Sequence, residues 1–234
     1  MAINSSRDNT RKSSWPFTIK LLGLLFLLSF VSLSLLAARM VASGSMIWWF
    51  LAWNLVLAWL PLLFALGLRL NLTKKRWSHW QNIGLSFLWL GFLPNSFYII
   101  SDYIHLYSEQ DVFLLLDIAL MTSFVINGLI LGFLSIFIVH RCLLKRFANK
   151  VVTPIIGLVF FACGFAIYIG RFLRWNTWDV IMNPAALLFD LSERVINPVT
   201  HAETYLITFV FGVVLASTYA VIYELIKLIN RSSK

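Results

Sequence analysis

Six long apolar stretches separated by polar gaps run along the chain, at about 17–38, 47–68, 83–100, 113–139, 151–170 and 205–226. A helix rises about 1.5 Å per residue, so about 20 apolar residues cross a hydrocarbon core of about 30 Å. Each stretch is long enough for one crossing. The pattern predicts an all-α polytopic membrane protein: a tail over 1–16, a six-helix transmembrane domain over 17–227, and a second tail over 228–234. The first stretch follows Arg7, Arg11 and Lys12. Its apolar run exceeds the roughly 7–15 residues of a signal-peptide core, so it is expected to remain as a span.

Only the fifth gap, 171–204, is long enough to hold structure of its own. Asn183 before Pro184 reads as an N-cap and first helical residue, and Pro198 as a stop. Between them Leu187, Leu188, Leu191 and Val195 share a helical face opposite Asp190 and Glu193. A helix over about 184–196 is too short to span, so it is expected to lie in the outer interface or over the outer mouth.

Composition agrees with the bilayer as solvent. Hydrophobic residues make up 60% of the 234 and charged residues 12%, against about 45–50% and about 25% in soluble domains. The net charge of +9 raises nucleic acid as a partner. Its basic residues are spread over inter-span gaps instead of one patch, so orientation and contact with anionic lipid account for them better. Cys142 and Cys163 show no disulfide or metal spacing and read as a loop thiol and a packing residue.

Charge also orients the chain. Of 19 Lys and Arg, only Arg39, Arg171, Arg174 and Arg194 fall in the first, third and fifth gaps. The termini and the other gaps carry the rest, including Arg69, Lys74, Lys75, Arg76, Arg141, Lys145, Arg146 and Lys150. Asp102, Glu109, Asp111, Asp179, Asp190, Glu193 and Glu203 lie on the opposite side. The positive-inside rule places both termini in the cytoplasm, with the plasma membrane as the expected location. Trp48, Trp49, Trp77, Trp80, Trp175 and Trp178 suit an interfacial aromatic belt.

Within the spans, Pro61 and Pro94 each remove a backbone hydrogen bond and are expected to bend their helices. Gly128 and Gly132 form a GxxxG step, read first as close packing within one subunit and second as an oligomer face. Asn54 and Asn127 read as interhelical glue.

Candidate chemistry gathers at the outer ends. Asn95, Tyr98, Asp102 and His105 align on one face if the third helix continues to His105. A polar stripe entering a bilayer needs other helices, or water, to face. At the end of the fifth span Arg171 and Arg174 suit a carboxylate or phosphate, with Trp175 and Asp179 beside them. Their structural partner would be Asp102 or Asp117, and their ligand an anionic group such as a lipid headgroup. Asp117 is the most intramembrane carboxylate, with Arg171 or Arg174 expected beside it. Asp102, His105 and Asp117 are also weak metal-ligand candidates. The Ser101-x-x-x-His105 spacing distantly resembles ceramidase-like hydrolases, but their paired-histidine motif in a late span is absent, and no cofactor is implied.

The segment from Leu93-Pro94-Asn95 through Asp102 and His105-Leu106, with Gly170-Arg171-Phe172-Leu173-Arg174-Trp175-Asn176 through Trp178-Asp179, resembles the signatures of a bacterial integral membrane family known as domain of unknown function 1361. The resemblance extends over about 48–226. It implies an integral membrane protein and carries over no activity, substrate or cofactor.

These features lead to a small transporter or a lipid- or anion-binding protein as the first expectation. Its outward pocket would be built from Asn95, Tyr98, Asp102, His105, Asp117, Arg171, Arg174, Trp175 and Asp179. A membrane-embedded metal-dependent hydrolase or transferase centred on Asp102 and His105 is the alternative. A non-catalytic subunit using Gly128 and Gly132 is a third.

Overall fold

The computed structural model describes residues 14–108, 114–175 and 179–232. Arg7, Arg11, Lys12, Glu109, Asp111, Asn176, Trp178 and Lys234 lie outside the described residues. The helices are α1 (Ser14–Ser43), α2 (Phe50–Asn71), α3 (Trp80–Tyr98), α4 (Leu114–Leu143), α5 (Asn149–Phe172), the short α6 (Asp179–Met182), α7 (Pro184–Ile196) and α8 (Ala202–Ser232). A 3-10 segment, Ile47–Trp49, leads into α2, and another, Ile99–Ser108, extends α3. No strand occurs among the described residues.

Six helical segments are long and apolar enough to cross a membrane: Ile19–Ser43, Ile47–Asn71, Trp80–Leu106, Leu114–Leu143, Asn149–Phe172 and Ala202–Ser232. The chain is an all-α polytopic membrane protein. Large apolar side chains such as Phe30, Phe87, Leu158 and Leu206 face outward from the bundle. A water-soluble surface would not tolerate so many, whereas lipid solvates them.

α4 is the central helix, buried on most of its sides, and α1, α2 and α3 pack against it. α2 also packs along α3, while α8 packs along α5. Small residues set the closest approaches. A Cβ added to Gly128 would collide with the Ser96 carbonyl oxygen, and one on Gly132 would meet the Phe97 ring at 2.7 Å. The GxxxG face is therefore occupied by α3 of the same chain, which removes it as an oligomer face. Gly164 and Gly212 do the same work between α5 and α8, against the Thr208 carbonyl and the Phe161 ring.

Several polar groups inside the bundle pair with one another across helices, as a bilayer interior favours. Asn127 on α4 accepts from Ser29 and donates to Ser32 on α1, and Trp59 of α2 donates to Ser29. α2 passes through Pro61 without interruption, and α3 passes through Pro94. Cys142 sits in the last turn of α4 and is buried, so it is a packing residue like Cys163 and not a loop thiol.

The basic end of the bundle carries Arg69, Lys74, Lys75 and Arg76 between α2 and α3, and Lys145 and Arg146 between α4 and α5. The acidic end carries Asp102, Asp190 and Glu193. There α7 starts at Pro184 as expected, although the Asn183 side chain makes no capping bond. Its inward face is Leu187, Asp190, Leu191 and Arg194, while Leu188 and Val195 are exposed. The expected apolar face is thus rotated. Asp190 turns inward because the Trp175 indole donates to it at 2.8 Å.

Candidate functional site

A cleft of about 440 Å³ opens at the acidic end between α2, α3, α5 and α7. α2 contributes Phe50, Trp53, Asn54 and Leu57, and α3 contributes Gly91, Pro94, Asn95 and Tyr98. Both sets follow the i, i+3, i+4, i+7 spacing of a single helical face. The volume lies within the roughly 300–1,000 Å³ usual for small-molecule sites.

α3 does not remain α-helical to His105. From Ile99 the backbone tightens to 3-10, which has three residues per turn and eclipses i with i+3. Asp102 and His105 therefore stack along one edge, and both still line the cleft with Asn95 and Tyr98. The polar stripe survives by a different geometry from the one its spacing suggested.

Arg171, in the last turn of α5, organises this edge. Its Nη2 donates to Asp102, its Nε to Ser101 Oγ at 2.9 Å, and its Nη1 to His105 Nε2 at 3.0 Å. Because a guanidinium only donates, His105 Nε2 is the acceptor and the ring proton sits on Nδ1. Asn54 Nδ2 donates to the other Asp102 oxygen at 3.0 Å. Asp102 is buried while the Arg171 side chain keeps 12% exposure, so the arginine presents an edge to the cleft. The guanidinium also lies 4.6 Å from the centroid of the Tyr98 ring. That ring approaches closely because residue 170 is glycine: a Cβ there would stand 2.9 Å from it. Trp48 and Phe50 pack around the His105 ring, at 6.5 and 5.3 Å between centroids.

The outer cover is tied down at several points. Leu187 and Leu191 of α7 close the cleft, and Trp175 both lines it and holds Asp190. Tyr205 Oη donates to the Arg194 carbonyl at 2.9 Å, and Tyr168 Oη donates to Glu203 at 3.2 Å.

The structure brings together Asn95, Tyr98, Asp102, His105, Arg171 and Trp175 around this cleft. It separates three expected members. Asp117 is paired with Arg39 of α1 and not with Arg171 or Arg174: Nη2 meets Oδ2 at 3.0 Å, with a second bond from Nε to Oδ1. Asp117 is thus a buried structural partner and not part of the pocket. Arg174 is exposed, has a left-handed φ of 59°, and does not line the cleft. It ends α5, where the Trp175 N–H turns back to the Ile169 carbonyl at 3.4 Å. Asp179, half-buried at the start of α6, also lies away from the lining.

Asn54, expected as interhelical glue, joins α2 to Asp102, while Ser101 as an acceptor for Arg171 and Arg39 as the partner of Asp117 were not expected. Asn54 is a polar residue in an apolar span, and Arg39 is the one basic residue in its gap, so both left a signal. Ser101 stood out only through its spacing to His105, which did not point to a bond with Arg171. Two of the expected belt tryptophans belong to the interior: Trp48 is buried, and Trp175 is bonded to α7. Trp49 and Trp80 are exposed as a belt requires.

The metal reading loses its third ligand. Both Asp117 oxygens are taken by Arg39 on another pair of helices. Among the described residues no three His, Cys, Asp or Glu side chains group to hold an ion. Asp102 is likewise held at both oxygens, by Arg171 and Asn54.

Neither a curated protein nor a solved structure gives a significant match to the chain. A family model described as "Protein of unknown function (DUF1361)" matches residues 53–218. That range takes in the 3-10 edge, the end of α5 and the helix that covers them, and it is the greater part of the chain: the protein belongs to the DUF1361 family.

Proposed function

We propose that the protein binds an amphiphile with an anionic headgroup, a membrane lipid or a lipid-like solute, in the cleft at its acidic end, as a lipid-binding protein or small transporter. The observation that carries this is the polarity gradient along the cleft. Asp102, His105 and Arg171 lie at its outer edge, whereas Leu57, Gly91 and Pro94 lie two to three helical turns deeper. Arg171 spends three of its five N–H groups on Ser101, His105 and Asp102, which leaves two for a phosphate or carboxylate oxygen. Asp102 balances its charge when the cleft is empty. The deeper walls suit an acyl or other apolar tail.

The charge distribution further supports a plasma-membrane orientation with both termini in the cytoplasm, which makes this cleft outward-facing. Reporter fusions after Asn71, Leu143 and the C-terminus test it, and a periplasmic signal from any of them refutes it.

The cleft itself is tested by filling it. Gly91 lines its deep end, and a Cβ there meets nothing within 4 Å, so Gly91→Leu occupies the space without disturbing the bundle. Lipids extracted from the purified protein are compared by mass spectrometry for wild type, Gly91→Leu and Arg171→Lys. A co-purified anionic amphiphile lost from Gly91→Leu and reduced in Arg171→Lys is expected. An identical complement in all three refutes the reading.

A further inference from the structure

A second cavity, of about 600 Å³, lies at the basic end between α4, α5 and α8. It shares no lining residue with the first cleft. α8 packs along α5 and meets α4 through the Tyr219 and Tyr223 side chains, which reach Phe133, Phe137 and His140; the cavity is lined by all three helices. We propose that this cavity is a binding site for one anionic phospholipid of the leaflet at the basic end.

Depth along the helices sorts the lining by chemistry. At the mouth stand Lys227 and Glu224 of α8, Asn149 of α5 and Leu144 just after α4. The connection from Leu144 to Asn149 brings exposed Lys145 and Arg146 to the same rim. Four residues of helix are about 6 Å. That step inward reaches His140 on α4, Thr153 on α5 and Tyr223 on α8. Deeper still are Gly157, Phe160, Ala216 and Ala220, all apolar or small. A phospholipid has this order: phosphate at the basic rim, ester groups about a turn below, acyl chains beneath.

His140 is the second observation. It is a buried residue, 5% exposed. Its Nδ1 is 2.8 Å from Tyr219 Oη, and its ring stacks on Tyr223 at 4.8 Å between centroids. Its Nε2 is buried and has no hydrogen-bond partner. Leaving such a buried group without a partner is costly. If Tyr219 donates to Nδ1, the ring proton sits on Nε2, and a lipid ester or phosphate oxygen at that depth would accept it.

Charge selects the anionic class. The rim carries Lys227, paired with Glu224 at 2.7 Å, and the connection between α4 and α5 adds exposed Lys145 and Arg146 against no further acid of its own. Basic residues near a membrane surface favour anionic over zwitterionic lipid. The site is independent of the acidic-end cleft. Phe160 and Tyr219 of its wall pack with Phe97 and Phe133 into one aromatic cluster, with neighbouring centroids 5.3 to 6.2 Å apart.

The test titrates delipidated full-length protein with phosphatidylglycerol or phosphatidylcholine, counting bound lipids by native mass spectrometry. Gly157→Leu is the principal variant, because a Cβ on Gly157 meets nothing within 4 Å and the longer side chain fills the gap. Lys227→Gln, at an exposed position, is the second. Wild type is expected to hold one phosphatidylglycerol at least tenfold more tightly than phosphatidylcholine. Gly157→Leu is expected to lose that site, and Lys227→Gln to weaken it severalfold, both with an unchanged melting temperature. Millimolar inorganic phosphate is expected not to displace the lipid. Equal affinity for the two lipids, or full binding by Gly157→Leu, overturns the proposal; displacement by phosphate overturns the lipid assignment. Gly91→Leu leaves this site intact, so failure here and failure at the acidic-end cleft are distinguishable.

Discussion

Arg39 and Asp117 form a two-point ion pair between α1 and α4, with side-chain exposures of only 3% and 2%. They stand 78 residues apart in the chain. Each was an outlier in the sequence: a basic residue on the acid-rich side, and a carboxylate inside a span. Each explains the other. The pair pins α1 to the central helix at the acidic end, while Ser29 and Ser32 with Asn127 pin it further down.

Removing one partner of such a pair leaves a buried charge, at about 3–5 kcal/mol, whereas replacing both with apolar residues is often neutral. Asp117→Leu and Arg39→Met are each expected to lower stability by about that amount. The double variant is expected to recover most of the loss. Denaturation in detergent checks this, and a double variant as unstable as the worse single one contradicts the pairing.

Gly128→Ala is expected to cost about 1–3 kcal/mol, because its methyl group meets the Ser96 carbonyl across α3 and α4. Gly84→Ala is the control. Nothing lies within 4 Å of a Cβ there, so it is expected to be neutral or to stabilise α3 by about 0.5–1 kcal/mol. Thermal melts of the two side by side decide; equal tolerance contradicts the close approach.

The Trp175 indole is one of the bonds that hold α7 over the cleft. Trp175→Phe keeps the ring and removes the donor to Asp190. A single such bond is worth about 0.5–1.5 kcal/mol, so amide exchange over residues 184–196 is expected to accelerate about two- to tenfold. The six long helices are expected to exchange as before. Unchanged exchange in α7 shows that the bond does not hold it.

Arg171 and Arg174 differ in what they do, and paired variants separate them. Arg174 sits at φ 59°, a conformation costing a non-glycine residue about 1–2 kcal/mol. Arg174→Gly is therefore expected to raise stability by up to about 1 kcal/mol and leave co-purified lipid unchanged. Arg171→Lys replaces a planar fork that reaches Ser101, His105 and Asp102, and is expected to lower both stability and lipid recovery. Loss of lipid from Arg174→Gly returns Arg174 to the binding site.

Much was legible in the chain. Apolar run length decided the six crossings, because any shorter or more polar segment leaves backbone groups unsatisfied in lipid. Pro184 marked the start of α7, since proline is compatible with a first turn and with little else in a helix. The Gly128–Gly132 step announced a close approach. The spacing of Asn95, Tyr98, Asp102 and His105 announced a shared edge. What the chain left open was which elements meet. Arg171 had two acidic candidates, Asp102 and Asp117, and local pattern does not distinguish them. Helix packing did: it set α5 beside the 3-10 edge and α1 beside the first turn of α4. Periodicity likewise gave α7 an apolar stripe, but the Trp175–Asp190 bond rotated it. Local periodicity measures which side chains share a face, because that follows from residues a turn apart. Pairing across the bundle follows from how six rigid helices stack, and a polar residue in lipid takes whichever partner that stacking brings within reach.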